Sequence, residues 1–312
     1  MVDSKQQWKA WLYLSPAIVL LLIFTVWPII NTVRLAFLED YNAFGALVGT
    51  TYEVGFGNFV KVLTYEDFLT CLKNTVLLTF LTVPLSTLLA LLIAVALNSI
   101  KPLQKVLQTI FFLPYVTNSI AIGMVFAAMF NIIGLRPDGS SADTWGIINN
   151  IIMFFGGEPI NWINAQSSYW ANMAVMTVYI VWNALPFKIL ILLGGLQSIN
   201  KQYYDAARVD GTSRRRVFAR ITVPLLSPML AYVIITGFIG GFKEYSSIVG
   251  IFGEKMGPVG APYSLNTMVG YIYEVLPDMN YGVASAAALI LFVIILIVTM
   301  INSAVSKRSV HY

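Results

Sequence analysis

Charge is scarce in this sequence. Charged residues make up 11% of its 312 positions and hydrophobic residues 58%, where a soluble domain carries about a quarter charged. With a mean hydropathy of +0.75, a soluble globule is excluded and a polytopic membrane protein is expected. There is one cysteine, Cys71, so no intramolecular disulfide can form, and one histidine, His311. A Cys/His metal cluster is excluded on residue count. No G-x-x-x-x-G-K-[ST] stretch occurs, so the chain has no phosphate-cradling loop of that kind. Internal repeats, heptad arrays and low-complexity tracts are absent as well.

What is present is apolar runs. A helix rises about 1.5 Å per residue and needs about 20 mostly apolar residues to cross the hydrocarbon. Six such spans are expected in an all-α chain forming one domain over 1–312, at roughly 11–37, 74–97, 106–130, 169–196, 221–242 and 283–305. The first has too long an apolar stretch, and no small-residue cleavage site, for a removable signal, and is read as an anchor.

Lysine and arginine set the expected topology. Lys5, Lys9, Lys101, Lys105, Lys201, Arg208, Arg214, Arg215, Arg216, Arg220, Lys307 and Arg308 fall on one side of the six spans; the opposite loops carry Lys61, Arg136 and Lys255 with many acids. The positive-inside rule makes both termini and the 201–220 loop cytoplasmic. The outer segments 38–72 and 131–168 contain apolar stretches such as Ile147 to Phe155, read as short interfacial helices, with Trp145, Trp162 and Trp170 at headgroup level.

The stretch YYDAARVDGTSRRRVFARITVPLLSP, residues 203–228, holds most of the central charge. Good helix formers over 201–210 end at Gly211, a suitable helix stop. Thr212 or Ser213 can cap a second helix from Arg214, to which Val217, Phe218 and Ile221 give an apolar face. Ala206 and Ala207 are small enough for another surface to approach closely. Topology alone accounts for arginines beside a span, but not for the ordered spacing of Asp205-Ala206-Ala207, Asp210-Gly211, Phe218, Ile221, Pro224 and Pro228.

That spacing resembles the signature loop of ABC-importer permeases, E-A-A-x-x-D-G with a later F, I and L-P, with Asp205 in place of Glu and Val223 in place of Leu. The resemblance extends over nearly the whole chain. SPAIVLLLIFTVWPII, FFLPYVTNSIAIGMVFAAMFN followed by GIINN, and YGVASAAALILFVIIL are similar to segments of the carbohydrate permeases, with an insert-like stretch at 132–145. The resemblance implies that Asp205, Ala206, Ala207, Asp210, Gly211 and Phe218 belong to a coupling helix. In the resembling family such a helix docks on a cytoplasmic ATPase, whose closure swings the spans from inward-open to outward-open. ATP and magnesium would be held by that ATPase, with no cofactor in this chain. The implied partners are a second, homologous permease, two ATP-binding subunits, an extracytoplasmic solute-binding protein and a sugar, in a bacterial-type plasma membrane; nucleic acid is not among them.

Some charges fall within the spans. Lys188 lies in the fourth, in VWNALPFKILILLGG, and Lys243 and Glu244 stand at the end of the fifth, in GFIGGFKEYSS. A charge at the bilayer centre costs on the order of 2.5–3.5 kcal/mol and normally faces a cavity or a partner. Sugars are held by aromatic faces and hydrogen-bonding groups together. Trp182, Asn183, Phe187, Phe242, Lys243, Glu244 and Tyr245 supply both, and Lys188 adds a cation. In the resembling family the spans flanking the loop line the path, which makes these eight the candidate substrate-pathway residues. Two other classes compete. An ion-driven secondary transporter needs a coupling-ion site and commonly shows inverted repeats; Glu244 alone is a candidate. A membrane enzyme needs a catalytic constellation, and none is visible.

Overall fold

The computed structural model describes residues 7–100, 104–133 and 144–309. The insert-like stretch of 132–145 therefore lies largely outside the described residues, as does His311. Among the described residues the regular structure is helical, apart from an isolated Leu38–Val54 bridge and a two-residue antiparallel pair, β1 (Ile132–Ile133) with β2 (Thr144–Trp145), in which Ile132 faces Trp145.

Two compact units are formed. One gathers the chain up to Leu69 with Tyr271–Phe292. It holds α1 (Gln7–Leu21), a π-turn at Leu22–Val26, α2 (Trp27–Ala36), α3 (Ala43–Leu47) and α4 (Gly57–Thr64). The α1–α2 stretch is exposed along nearly its whole apolar length, as a helix surrounded by lipid must be. Within the unit Asn58 is fully buried; its amide donates to the carbonyls of Ala36 (3.1 Å) and Leu38 (2.7 Å) and its oxygen accepts from Asp40 N–H (3.1 Å). One side chain thus terminates α2 and turns the chain into the loop.

The second unit gathers Thr70–Gly270 with the residues from Val293 onward. Its elements are α5 (Glu66–Ser99), α6 (Gln104–Val116), α7 (Ser119–Phe130), α8 (Ile147–Phe154), α9 (Tyr169–Ser198) and α10 (Lys201–Val209). These are followed by α11 (Arg214–Val217), a π-turn at Phe218–Thr222, α12 (Val223–Leu225), α13 (Ser227–Phe242) and α14 (Ser246–Phe252), while α15 (Met268–Val275) and α16 (Tyr281–Ser309) each have residues in both units. One buried cluster centres on Met173, Met176 and Tyr179 of α9 with Ile248 and Ile251 of α14. A second joins Ala90, Ala94 and Leu97 of α5 to Leu192, Leu193 and Leu196 of α9 and Leu226.

Among the described residues four helices are long and apolar enough to cross a membrane: Trp8–Ala36, Glu66–Ser99, Tyr169–Ser198 and Tyr281–Ser306. The other two expected spans are not continuous. In place of one helix over 106–130, α6 and α7 are separated at Thr117–Asn118. Asn118 is extended (ψ 122°), and its side chain accepts from the Ile120 and Ala121 N–H groups, capping a new helix. In place of one helix over 221–242, Arg214–Leu225 and Ser227–Phe242 meet at 67°, at Pro224 and Pro228. Both π-turns have the same cause. Each ends two residues before a proline, Pro28 and Pro224, which lacks the N–H its helix needs; Trp27 and Val223 instead bond five residues back, to Leu22 and Phe218.

Past α13 the chain turns at Lys243–Tyr245 into α14, which lies against α7. Gly123 and Gly250 meet there with no side chain between them. A Cβ on Gly123 would sit 2.7 Å from the Gly250 Cα, and one on Gly250 would sit 3.0 Å from the Gly123 Cα. α14 ends at Gly253 in the left-handed region (φ 68°).

Candidate functional site

The basic loop is built as a capped helix, a tight stop and a second helix. Asn200 opens α10 by accepting from the Gln202 N–H at 2.9 Å. At the other end Gly211 takes φ +65°. Its N–H bonds the Arg208 carbonyl (3.1 Å) and the Thr212 N–H bonds the Ala207 carbonyl (2.9 Å). This pair of bonds satisfies the last carbonyls and requires a left-handed residue between them, which is why glycine stands there. Ser213 occupies the position before α11 without a side-chain cap bond.

The predicted loop residues divide by role. Ala207 is buried and Phe218 packs among the residues around Leu226. Asp205, Ala206, Asp210 and Gly211 are exposed. Asp205 and Arg208 approach to 3.6 Å on the open surface, a pair that contributes little to stability. Tyr203 (54% exposed) and Val209 (88%) turn apolar surface outward beside Ala206.

A cavity of about 260 Å³ lies among α5, α6, α9 and α13. Four of the eight predicted pathway residues line it: Asn183, Phe187, Lys188 and Glu244. The other four do not. Trp182 packs on Phe126 (ring centroids 5.0 Å apart) beside the first core cluster, and Phe242 is itself core at 1% exposure. Lys243 points to the exterior and Tyr245 packs against the same cluster. The helical period explains the split: 183, 187 and 188 share one face of α9, and 182 sits a step away from it.

Lys188 is 4% exposed and spends all three N–H bonds on one neighbour. It donates to Ser86 Oγ (2.7 Å), Thr87 Oγ1 (3.0 Å) and the Val83 carbonyl (3.3 Å) of α5. Gly237 makes this possible: a Cβ there would stand 3.3 Å from Nζ. Among the described residues no carboxylate lies within ion-pair distance of it. Glu244 instead accepts the N–H groups of Tyr245 (3.1 Å) and Ser247 (3.0 Å), capping α14. Tyr115 of α6 stacks on Phe187 at 5.8 Å and 19°, giving the cavity an aromatic wall.

Sequence reasoning did not find the polar stripe of α5. Thr75, Thr79, Thr82 and Ser86 are buried and bond carbonyls four residues back at 2.5–2.7 Å. Thr82 and Ser86 reach the cavity. Their spacing of four, three and four is one helix face, readable in the sequence as hydroxyls repeating within an apolar span.

The family described as "binding-protein-dependent transport system inner membrane component" matches residues 76–311. The chain belongs to that family. It is a transport component of the membrane, neither the ion-driven carrier nor the enzyme weighed above. It is 28% identical to the lactose transport system permease protein LacF of Rhizobium radiobacter, over 94% of this chain and 91% of that one. It is 29% identical to the trehalose/maltose transport system permease protein MalF of Thermococcus litoralis, over 95% and 93%. Its fold is that of a chain in the crystal structure of a bacterial ABC transporter that imports the acidic polysaccharide alginate (TM-score 0.77, 23% identity, 97% and 96% covered).

Proposed function

We propose that this chain is a permease subunit of an ATP-driven importer of a mono- or oligosaccharide and forms half of its path. The observation that carries the reading is that one family match, over residues 76–311, takes in both the cavity and the capped loop. The names of the lactose and trehalose/maltose permeases support the carbohydrate class. The cavity supports it through its mixture of an aromatic wall with Asn183, Thr82, Ser86 and Thr236. At about 260 Å³ it is smaller than typical ligand sites of about 300–1,000 Å³, as suits half a site completed by a second permease.

In this reading Asn183 and Phe187 contact the sugar, while Lys188 and Glu244 shape the wall. The α10–α11 turn, with Asp205, Ala206, Asp210 and Gly211 on its surface, docks on a cytoplasmic ATPase that holds ATP and magnesium. Both termini lie on that same side, and a solute-binding protein delivers sugar from the other. The test is ATP hydrolysis by the complex purified with its partner subunits into lipid, with and without binding protein and candidate sugars. Stimulation that needs the sugar-loaded binding protein supports the reading. Hydrolysis indifferent to both, or transport by this chain alone on an ion gradient, overturns it.

A further inference from the structure

α8 carries no charge, and among the described residues one of its faces stands exposed. Ile147, Ile151, Phe154 and Phe155 stand at i, i+4, i+7 and i+8 and are 55%, 50%, 85% and 82% exposed. That spacing places four large apolar side chains on one side of two helical turns.

The opposite face fixes how the helix is rolled. Asn149 is fully buried. Its oxygen accepts from Trp162 Nε1 (3.0 Å) and the Ile160 N–H (3.1 Å), and its amide donates to the Ile160 carbonyl (2.9 Å). Ile148 packs on the first core cluster. The apolar face is therefore held outward and cannot turn in.

The height of α8 is fixed as well. Gly146, the residue before α8, donates its N–H to the Asn131 carbonyl at 2.8 Å, and Asn131 is the residue directly after α7. Asn164 bonds the Asn131 side chain at 2.6 Å and Asn150 bonds the Trp145 carbonyl at 3.0 Å. α7 is wholly apolar apart from Ser119 and exposes Met124 (64%) and Val125 (62%). The first polar group after it, Asn131, marks where the chain leaves the hydrocarbon. α8 thus starts one hydrogen bond from that boundary.

We propose that α8 lies flat in the lipid boundary at this end of α7, with Ile147, Ile151, Phe154 and Phe155 inserted among acyl chains. A specific protein surface in this place needs polar groups to fix its partner, about one hydrogen bond per 100–200 Å². The Asn149 side chain is bonded on both its oxygen and its amide within the chain, the Asn150 amide is turned to the Trp145 carbonyl, and the exposed face itself carries no polar side chain. Helices that lie on membranes usually turn a cationic face to the headgroups. Here the polar face is tied to the protein, so the attachment is apolar and insensitive to anionic lipid and to salt.

The test replaces Cys71 with Ala and places a nitroxide at Phe155→Cys and, separately, at Ile151→Cys. The full chain is co-produced with its native partner subunits and reconstituted in phosphatidylcholine vesicles. Relaxation by dissolved oxygen several-fold stronger than by a water-soluble nickel chelate, unchanged by added phosphatidylglycerol, is the expected result. Dominant relaxation by the chelate would put the face in water, and weak relaxation by both would put a protein over it. Either outcome at a site that assembles overturns the proposal, and the second site covers failure of the first to assemble.

Discussion

The Lys188 ammonium of α9 donates to the Ser86 hydroxyl of α5 at 2.7 Å, and Ser86 in turn donates to the Thr82 carbonyl of its own helix at 2.5 Å. The lysine therefore adds a crosslink to side chains that are already satisfied without it. Since its three protons are used on α5, none remains for a ligand while this arrangement holds.

Removing the lysine and removing its acceptors should then differ. Lys188→Met leaves both hydroxyls bonded to their own backbone and is expected to cost less than about 1.5 kcal/mol, as volume-conserving replacements do. Ser86→Ala with Thr87→Val leaves the buried cation only the Val83 carbonyl and should cost about 3 kcal/mol or more, since bonds to charged groups contribute about 1.5–3 kcal/mol each. Thermal unfolding of the purified permease in detergent ranks the two. Equal losses would refute this account of the site.

Gly211 sits at φ +65° with nothing within 4 Å of where a Cβ would be, so its requirement is backbone conformation alone. Gly211→Ala should weaken the end of α10 by about 1–2 kcal/mol, and Gly211→Asn less. Gly211→Val is expected to abolish uptake while the chain still inserts at normal abundance, with ATP hydrolysis no longer following sugar. Uptake assays beside membrane immunoblots check this.

Adjacent residues of α9 should separate stability from transport. Trp182→Ala removes a ring packed on Phe126 and is expected to cost about 3–5 kcal/mol. Asn183→Ala, facing the cavity, should leave the unfolding midpoint in place and raise the KM of sugar uptake several-fold. An Asn183→Ala protein with unchanged uptake kinetics would remove that residue from the path.

The α7–α14 crossing tolerates no side chain. Gly123→Ala or Gly250→Ala pushes the two backbones apart and is expected to cost about 1–3 kcal/mol. Gly194→Ala in α9, where a Cβ meets nothing within 4 Å, should stabilise by about 0.5–1 kcal/mol. Midpoints of the three variants measured in one detergent decide the matter.

How far the sequence foretold this follows from the range of each interaction. The stop of α10 was legible, because an Asp-Gly pair after a helical run carries its own conformational demand. The long helices α5, α9 and α16 were legible from apolar length. The break at Asn118 was not, since a single capping side chain interrupts an otherwise apolar run and leaves the hydropathy unchanged. The bend between α12 and α13 is signalled by Pro224 and Pro228, but the apolar composition runs through it unchanged, so length alone gives one span. Four of the eight pathway candidates lie off the cavity because neighbours in sequence fall on different faces of a helix. The partners of Lys188 lie about a hundred residues away on another helix, beyond the reach of any local pattern.

The glycine contact between α7 and α14 has a mechanical meaning. The two backbones touch at this one point, and Ile122, Phe126 and Ala127 of α7 share a packed core with Ile248 and Ile251 of α14 around it, so a shift of either helix has to carry the other. The coupled pair is bounded by two changes of backbone direction, the extended Asn118 before α7 and the left-handed Gly253 after α14.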